Sequence, residues 1–136
     1  MNISPRYVLL DDDIFALAIA TNIVRNYSRR AEVVSFSSCK EAIKYVEADH
    51  NKRKYPDTVF LTDLHMPEID GFTLLDRMET FYKKIKGGLH IFVLSAAACP
   101  DEIRRVLSYS RVKGFYPKPF SFDKMDRIAN TIKISD

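Results

Sequence analysis

Short apolar runs alternate along the chain with longer amphipathic segments. The apolar runs predict five β-strands, over Tyr7–Leu10, Val33–Phe36, Thr58–Thr62, His90–Leu94 and Lys113–Tyr116. Apolar residues at helical spacing predict helices between and after the strands; these stripes contain Ile14, Leu17, Thr21 and Val24, then Leu75, Met78 and Phe81 or Tyr82, then Ile103, Val106 and Leu107, and last Met125, Ile128, Ala129 and Ile132. Ser38 with Glu41 has the spacing of a capping box, and Pro100 followed by two acids is typical of a first helical turn.

This alternation predicts an α/β fold with a parallel sheet and five helices on its two faces. The first, third and fourth strands are almost wholly apolar, as expected of strands covered on both sides. The second and fifth carry polar residues or glycine, which is typical of sheet edges. The pattern therefore predicts one flavodoxin-like, doubly wound domain over residues 1–136, with strand order 2-1-3-4-5.

Composition excludes some classes of protein. No apolar run approaches the roughly 20 residues of a membrane helix, and the first residues lack the pattern of a secretory signal. Cys39 and Cys99 have neither metal-ligand spacing nor a disulfide framework, which favours a reducing cytoplasm. The net charge is +3, and the basic runs are short, separated and poor in aromatic residues, so we expect no nucleic-acid partner.

Polar residues stand where the predicted strands end. Asp11, Asp12 and Asp13 follow the first strand, Asp63 the third and Ser95 the fourth, and the fifth leads into Lys118. In such sheets, ligands bind beyond the carboxyl ends of the strands, near the point where strand order reverses. We therefore expect carboxylates, a hydroxyl and an ammonium to meet at one edge of the sheet.

Charge explains why these groups fit phosphoryl transfer. Converging carboxylates repel one another unless a cation joins them, and Mg²⁺ commonly binds carboxylates, waters and a phosphate oxygen together. The ion and Lys118 would offset negative charge on a phosphoryl group, and Ser95 would donate a hydrogen bond to it. Asp63, at the end of an apolar strand, is then predicted to accept the phosphoryl group as a nucleophile.

Four segments, "VLLDDD", "LTDLHMPEIDG", "FVLSAA" and "FYPKPF", resemble the signatures of the response-regulator receiver domain, the CheY-like fold of two-component signalling. The resemblance covers essentially the whole chain. It implies phosphotransfer to Asp63 from a histidine kinase or phosphotransfer protein with Mg²⁺ as cofactor, in a signalling domain that is not an enzyme acting on a diffusible substrate.

The resemblance also assigns roles to individual positions. It implies that Asp12 binds the metal directly and that Asp11 acts nearby through water, with Asp63 and the backbone carbonyl of His65 as further ligands. It matches Ser95 to the hydroxyl position and Lys118 to the phosphate-pairing lysine. Asp13 matches a common third acid of the family, and we do not expect it to be a metal ligand. Ala96, directly after Ser95, is small and leaves room for the phosphoryl group.

A switch is implied by the same resemblance. Ser95 would move to the phosphoryl group while Phe115 turns inward, although Phe115 lacks the hydroxyl of a tyrosine. The family also has a cis bond before the proline that corresponds to Pro119. His65 and Ala97 occupy positions that flank the path of hydrolytic water, so we expect them to influence the lifetime of the phosphate.

Two other functions fit part of the sequence. "LLDDDIF" satisfies the opening motif of haloacid-dehalogenase-like phosphatases, with Asp11 as nucleophile and Asp13 as acid and base, but leaves "DLHMPEIDG" unexplained. A flavin-binding module is weaker, because no phosphate-binding loop rich in Ser, Thr or Gly follows the first strand.

The expected protein is a stand-alone cytoplasmic receiver, monomeric or weakly dimeric, because little sequence follows the last helical stripe. It would signal by protein contact or relay phosphate onward. By analogy with the fold, the output surface would lie near Val106, Tyr109, Phe115 and Met125.

Overall fold

The structure, a computed structural model, describes residues 5–48, 57–83 and 88–135, with side chains described up to residue 132. Strands and helices alternate along it as β1 (Arg6–Leu10), α1 (Ile14–Tyr27), β2 (Val33–Phe36), α2 (Cys39–Ala48), β3 (Asp57–Asp63), α3 (Gly71–Lys83), β4 (Gly88–Ser95), α4 (Pro100–Leu107), β5 (Val112–Pro117) and α5 (Phe122–Ser135). Among these described helices, none has the length and apolar character needed to cross a membrane.

The five strands form one parallel sheet in the order β2-β1-β3-β4-β5, which confirms the predicted topology. β3 pairs with β1 on one side and with β4 on the other, from Asp57 opposite Gly88 to Asp63 opposite Leu94. The order reverses between β1 and β3. The carboxyl ends of β1, β3 and β4 therefore lie side by side at that point.

Alternate residues of the central strands enter two separate layers of core. Phe60 of β3 packs with buried residues of α2, α3 and α4, whereas Val59 and Leu61 pack with those of α1 and α5. All three side chains are at most 2% exposed. Helices thus cover both faces of the sheet, which explains why the central strands are apolar at consecutive positions.

Two residues of the predicted helical stripes lie outside the core. Ile14 is 69% exposed, because the buried stripe of α1 begins one turn later and consists of Ala20, Thr21 and Val24. Leu107 is 50% exposed at the end of α4, where Val106 is the buried residue. Ile14 and Leu107 thus belong to predicted helices that form, but their side chains are not part of the core.

The first turns of α2 and α4 are capped differently. In α4, Glu102 and Cys99 form a capping box, and Pro100 begins the helix as predicted. In α2, Ser38 accepts a hydrogen bond from the Glu41 amide at 3.4 Å, which is half of the predicted box. Glu68, from the loop after β3, accepts a hydrogen bond from the Cys39 amide at 2.6 Å. The loop that follows Asp63 is therefore fastened to the start of α2.

Candidate functional site

The carboxyl edge of the sheet brings the predicted site residues together. Asp11 follows β1, Asp63 ends β3, Ser95 ends β4 and Lys118 follows β5. The main-chain N–H of Lys118 donates to the carbonyl of Ser95 at 2.9 Å, which continues the ladder between β4 and β5 past its last paired residues. Strand pairing thus fixes the backbone positions from which these side chains extend.

Lys118 joins two of the acids. Its Nζ lies 2.6 Å from Oδ2 of Asp11 and 3.1 Å from Oδ2 of Asp63, and its side chain is 18% exposed. Burial lowers the pKa of Lys118, but the hydrogen bonds and negative charges of the two carboxylates outweigh burial and raise that pKa above its usual value. The ammonium therefore stays charged at neutral pH.

Asp11 and Asp63, which contact this ammonium, form an acidic cluster with Asp12. One carboxylate oxygen from each lies within 4.8 Å of the others. Asp11 and Asp63 are buried, whereas Asp12 is exposed. Oxygen donors of this kind suit a hard divalent cation, so the three carboxylates fit Mg²⁺. Asp63 is also held by the His65 amide, which donates to Oδ1 at 3.2 Å.

Asp13 has a structural role instead. Its Oδ1 accepts hydrogen bonds from the amides of Phe15 at 3.0 Å and Ala16 at 3.3 Å, so it is the N-cap of α1. The Asp13 amide in turn donates to Oδ1 of Asp11 at 2.9 Å. These contacts use Oδ1 of Asp13 at the start of α1, and the expectation that Asp13 is not a metal ligand stays a prediction.

Ser95 makes its hydrogen bond away from Asp63. Its hydroxyl donates to the carbonyl of Ala97 at 3.1 Å and lies 3.5 Å from Nδ1 of His65. The other ring nitrogen of His65, Nε2, lies 3.0 Å from Oε2 of Glu102 on α4. The histidine side chain therefore reaches from the loop after β3 to the first turn of α4.

Phe115 is half-buried and packs against the core layer that α2, α3 and α4 cover. Ala96 is exposed beside Ser95, and the Lys118–Pro119 peptide bond is cis, as the resemblance implied. The switch roles of Ser95 and Phe115 stay predictions.

Sequence reasoning missed an apolar patch beside the site. Phe15 is 83% exposed and Ile19 56% exposed on α1. Both line a cleft of about 400 Å³ whose other walls include Asp11, Lys118 and Pro119. A signal was present, since "IFALAIA" carries more apolar residues than one helix face can bury.

Comparisons with known proteins agree with this geometry. A family model described as "Response regulator receiver domain" matches residues 8–130. The chain is 26% identical over 128 residues to the "Two-component response regulator ORR3" of Oryza sativa subsp. japonica, covering 94% of this chain and 90% of the rice protein.

Solved structures also share the fold. A two component response regulator from Cytophaga hutchinsonii has a TM-score of 0.83 and 22% identity, covering 96% of this chain and 98% of the other. A response regulator receiver protein from Dyadobacter fermentans has a TM-score of 0.74 and 20% identity, covering 93% and 96%. The reported matches lend no support to a haloacid-dehalogenase-like phosphatase.

Proposed function

Because the chain belongs to the response regulator receiver domain family of two-component signalling, we propose that Asp63 accepts a phosphoryl group from a histidine kinase or phosphotransfer protein with Mg²⁺. The observation that carries the proposal is the placement of Lys118 between Asp11 and Asp63. An ammonium at 3.1 Å from Asp63 suits a carboxylate whose product would carry additional negative charge.

In the proposed step, a carboxylate oxygen of Asp63 attacks the phosphorus of a phosphohistidine. The new O–P bond forms as the N–P bond breaks, and the donor imidazole keeps the electron pair of the broken bond. Lys118 pairs with an oxygen of the transferred group, and Ser95 donates a hydrogen bond to another. The product is an aspartyl phosphate, and the protein acts as a switch instead of turning over a diffusible substrate.

Asp11, Asp12 and Asp63 would hold the metal ion, and the backbone carbonyl of His65 is the further ligand that the resemblance implies. Bound there, Mg²⁺ supplies positive charge between the carboxylates and the phosphoryl oxygens.

Incubation with acetyl phosphate and Mg²⁺, followed by intact-mass measurement, tests the chemistry. Wild type should gain one phosphoryl group, and Asp63→Asn should gain none. Asp70→Asn is the matched control, because Asp70 lies in the same loop and caps the Phe72 amide at 3.3 Å. Equal labelling of wild type and Asp63→Asn would contradict the proposal, and labelling of Asp11 would favour the phosphatase.

The apolar patch beside the site suggests how the phosphodonor protein docks. Phe15 and Ile19 are exposed at the cleft that reaches Asp11 and Lys118, so a partner packed on α1 would bring its phosphohistidine to the carboxylates. Exposed apolar residues grouped beside a reactive site commonly mark a protein interface. The proposed occupant is the histidine kinase or phosphotransfer protein.

Phe15→Ser should slow phosphotransfer from a phosphorylated histidine phosphotransfer protein while leaving the rate with acetyl phosphate unchanged. Leu107→Ser is the control, because Leu107 is also exposed and apolar but lies on α4. An equal effect of Phe15→Ser on both donors would point to damage at the site and not to lost docking.

The proposal also covers domain organisation, cellular location and nucleic-acid binding. The match over 94% of this chain and 90% of the rice response regulator supports a single receiver domain. We propose that it acts as a separate protein, monomeric or weakly dimeric, through protein contacts. Cys39 and Cys99 are free thiols, which supports a cytoplasmic location. Two of the basic runs reach into residues 51–54 and 84–86, outside the described residues, so the prediction of no nucleic-acid partner still depends on the sequence.

A further inference from the structure

The carboxylate of Glu102 makes two contacts that join separate parts of the fold. Its Oε1 accepts a hydrogen bond from the Cys99 amide at 3.1 Å and so caps α4. Its Oε2 lies 3.0 Å from Nε2 of His65. The hydrogen bond to His65, followed by that to the Cys99 amide, lowers the pKa of Glu102, so the side chain is an anion at neutral pH. One ionised side chain thus ties the loop after Asp63 to the start of α4.

This contact places Nε2 of His65 against a carboxylate and leaves Nδ1 towards Ser95. A carboxylate accepts hydrogen bonds and does not donate them, so Nε2 must be the donor. In the neutral ring, Nδ1 is then an acceptor, and it faces the hydroxyl of Ser95 at 3.5 Å. The same hydroxyl donates to the carbonyl of Ala97 at 3.1 Å. The two groups nearest the Ser95 hydroxyl, Nδ1 of His65 and the carbonyl of Ala97, are therefore both acceptors.

A serine hydroxyl has one proton to donate. If Ser95 donates it to Ala97 or His65, it cannot also donate it to a phosphoryl oxygen on Asp63. This inference rests on the function proposed above. We propose that Glu102 is a positioning residue that opposes the movement of the Ser95 hydroxyl towards a phosphoryl group on Asp63. Through His65 it keeps an acceptor beside Ser95 and fastens the segment from Ser95 to Cys99 in the arrangement where Ser95 donates to Ala97.

Breaking the contact should therefore favour phosphorylation. The His65 and Glu102 side chains are 51% and 32% exposed, and exposed ion pairs contribute little, so the expected change is at most about fivefold. Glu102→Ala should raise the phosphorylated fraction, at limiting acetyl phosphate with Mg²⁺, by about two- to fivefold. Glu102→Gln keeps an accepting oxygen and should stay near wild type.

Two further variants separate the contact from general effects on α4. Asp101→Ala is the matched control, because Asp101 is on the same turn but pairs with Arg104. It should leave phosphorylation unchanged. His65→Ala breaks the contact without touching the α4 cap and should raise phosphorylation as Glu102→Ala does, and combining the two should give no further increase.

The ring of His65 gives an independent readout. The ¹⁵N shifts of the wild-type ring should report the tautomer protonated at Nε2, which is the nitrogen that faces Glu102. Glu102→Ala should shift the ring to a mixture of tautomers. Unchanged ring shifts in Glu102→Ala, or altered shifts with unaltered phosphorylation, would each overturn the inference and leave the proposed function intact. If wild type took up no phosphoryl group, the proposed function would fail and the inference with it.

Discussion

Replacing Lys118 with methionine removes the ammonium between two acids while keeping an unbranched side chain. The Lys118 side chain is 18% exposed and those of Asp11 and Asp63 are 10% exposed. Removing one partner of a fully buried ion pair costs about 3–5 kcal/mol, because the remaining charge stays buried and uncompensated. Water reaches this site through its exposed side, so we expect Lys118→Met to lower the free energy of unfolding by about 2–3 kcal/mol at neutral pH without Mg²⁺. The melting temperature should fall by about 7–10 °C.

Urea unfolding followed by circular dichroism, in EDTA, measures this loss. Lys113→Met is the matched control, because the Lys113 ammonium is exposed on β5 and contacts the carbonyl of Ser110 at 3.3 Å. It should change stability by less than about 0.5 kcal/mol. A background of Asp11→Asn leaves one carboxylate for the lysine, so in it Lys118→Met should cost about half as much.

Two results would refute the reasoning. If Lys118→Met cost the same with and without Asp11→Asn, lost packing and not lost charge would explain it. If Lys118→Met were as stable as Lys113→Met, the ammonium would contribute nothing to holding the carboxylates together.

Three further outcomes are expected. Mg²⁺ at about ten times its dissociation constant should stabilise wild type by about 1.4 kcal/mol in thermal unfolding, and Asp12→Asn should gain less. Gly71→Ala should lower the free energy of unfolding by about 2 kcal/mol or more in urea, because a Cβ would clash with the backbone oxygen of Leu64; an unchanged value would show that the loop can move aside. The pKa of Lys118 is raised in the folded state, so its stabilisation is complete below about pH 10.4 and is lost as the pH rises through the folded pKa. The urea midpoints of wild type and Lys118→Met should therefore converge above that pH.

The sequence predicted the fold well because each strand coincides with a short apolar run between longer amphipathic segments. The strand ends were harder. β3 begins at Asp57 and β4 at Gly88, one and two residues before the apolar runs, because these residues pair with each other across the sheet. Asp and Gly disfavour strands locally, so the pairing that includes them is not visible in either segment.

For the site, residues at strand ends could be predicted and contacts between loops could not. Asp11, Asp63 and Lys118 meet because the parallel sheet places strand ends at one edge, a rule that needs no coordinates. Glu68 capping α2 joins residues 29 apart, and Glu102 meeting His65 joins residues 37 apart. An acid near the start of a helix is already accounted for by its favourable interaction with the helix dipole. Nothing in the sequence therefore indicates that Glu68 and Glu102 also have distant partners.

The pairing of β4 with β5, extended by the hydrogen bond from the Lys118 amide to the Ser95 carbonyl, keeps the lysine and the hydroxyl residue side by side. The intervening stretch loops out to form α4 and returns in β5, and its length does not set the distance between its two ends. Insertions or deletions at the turn between α4 and β5 should thus leave that spacing intact. Natural variation and loop grafting could remodel this flank of the molecule without rebuilding its reactive centre.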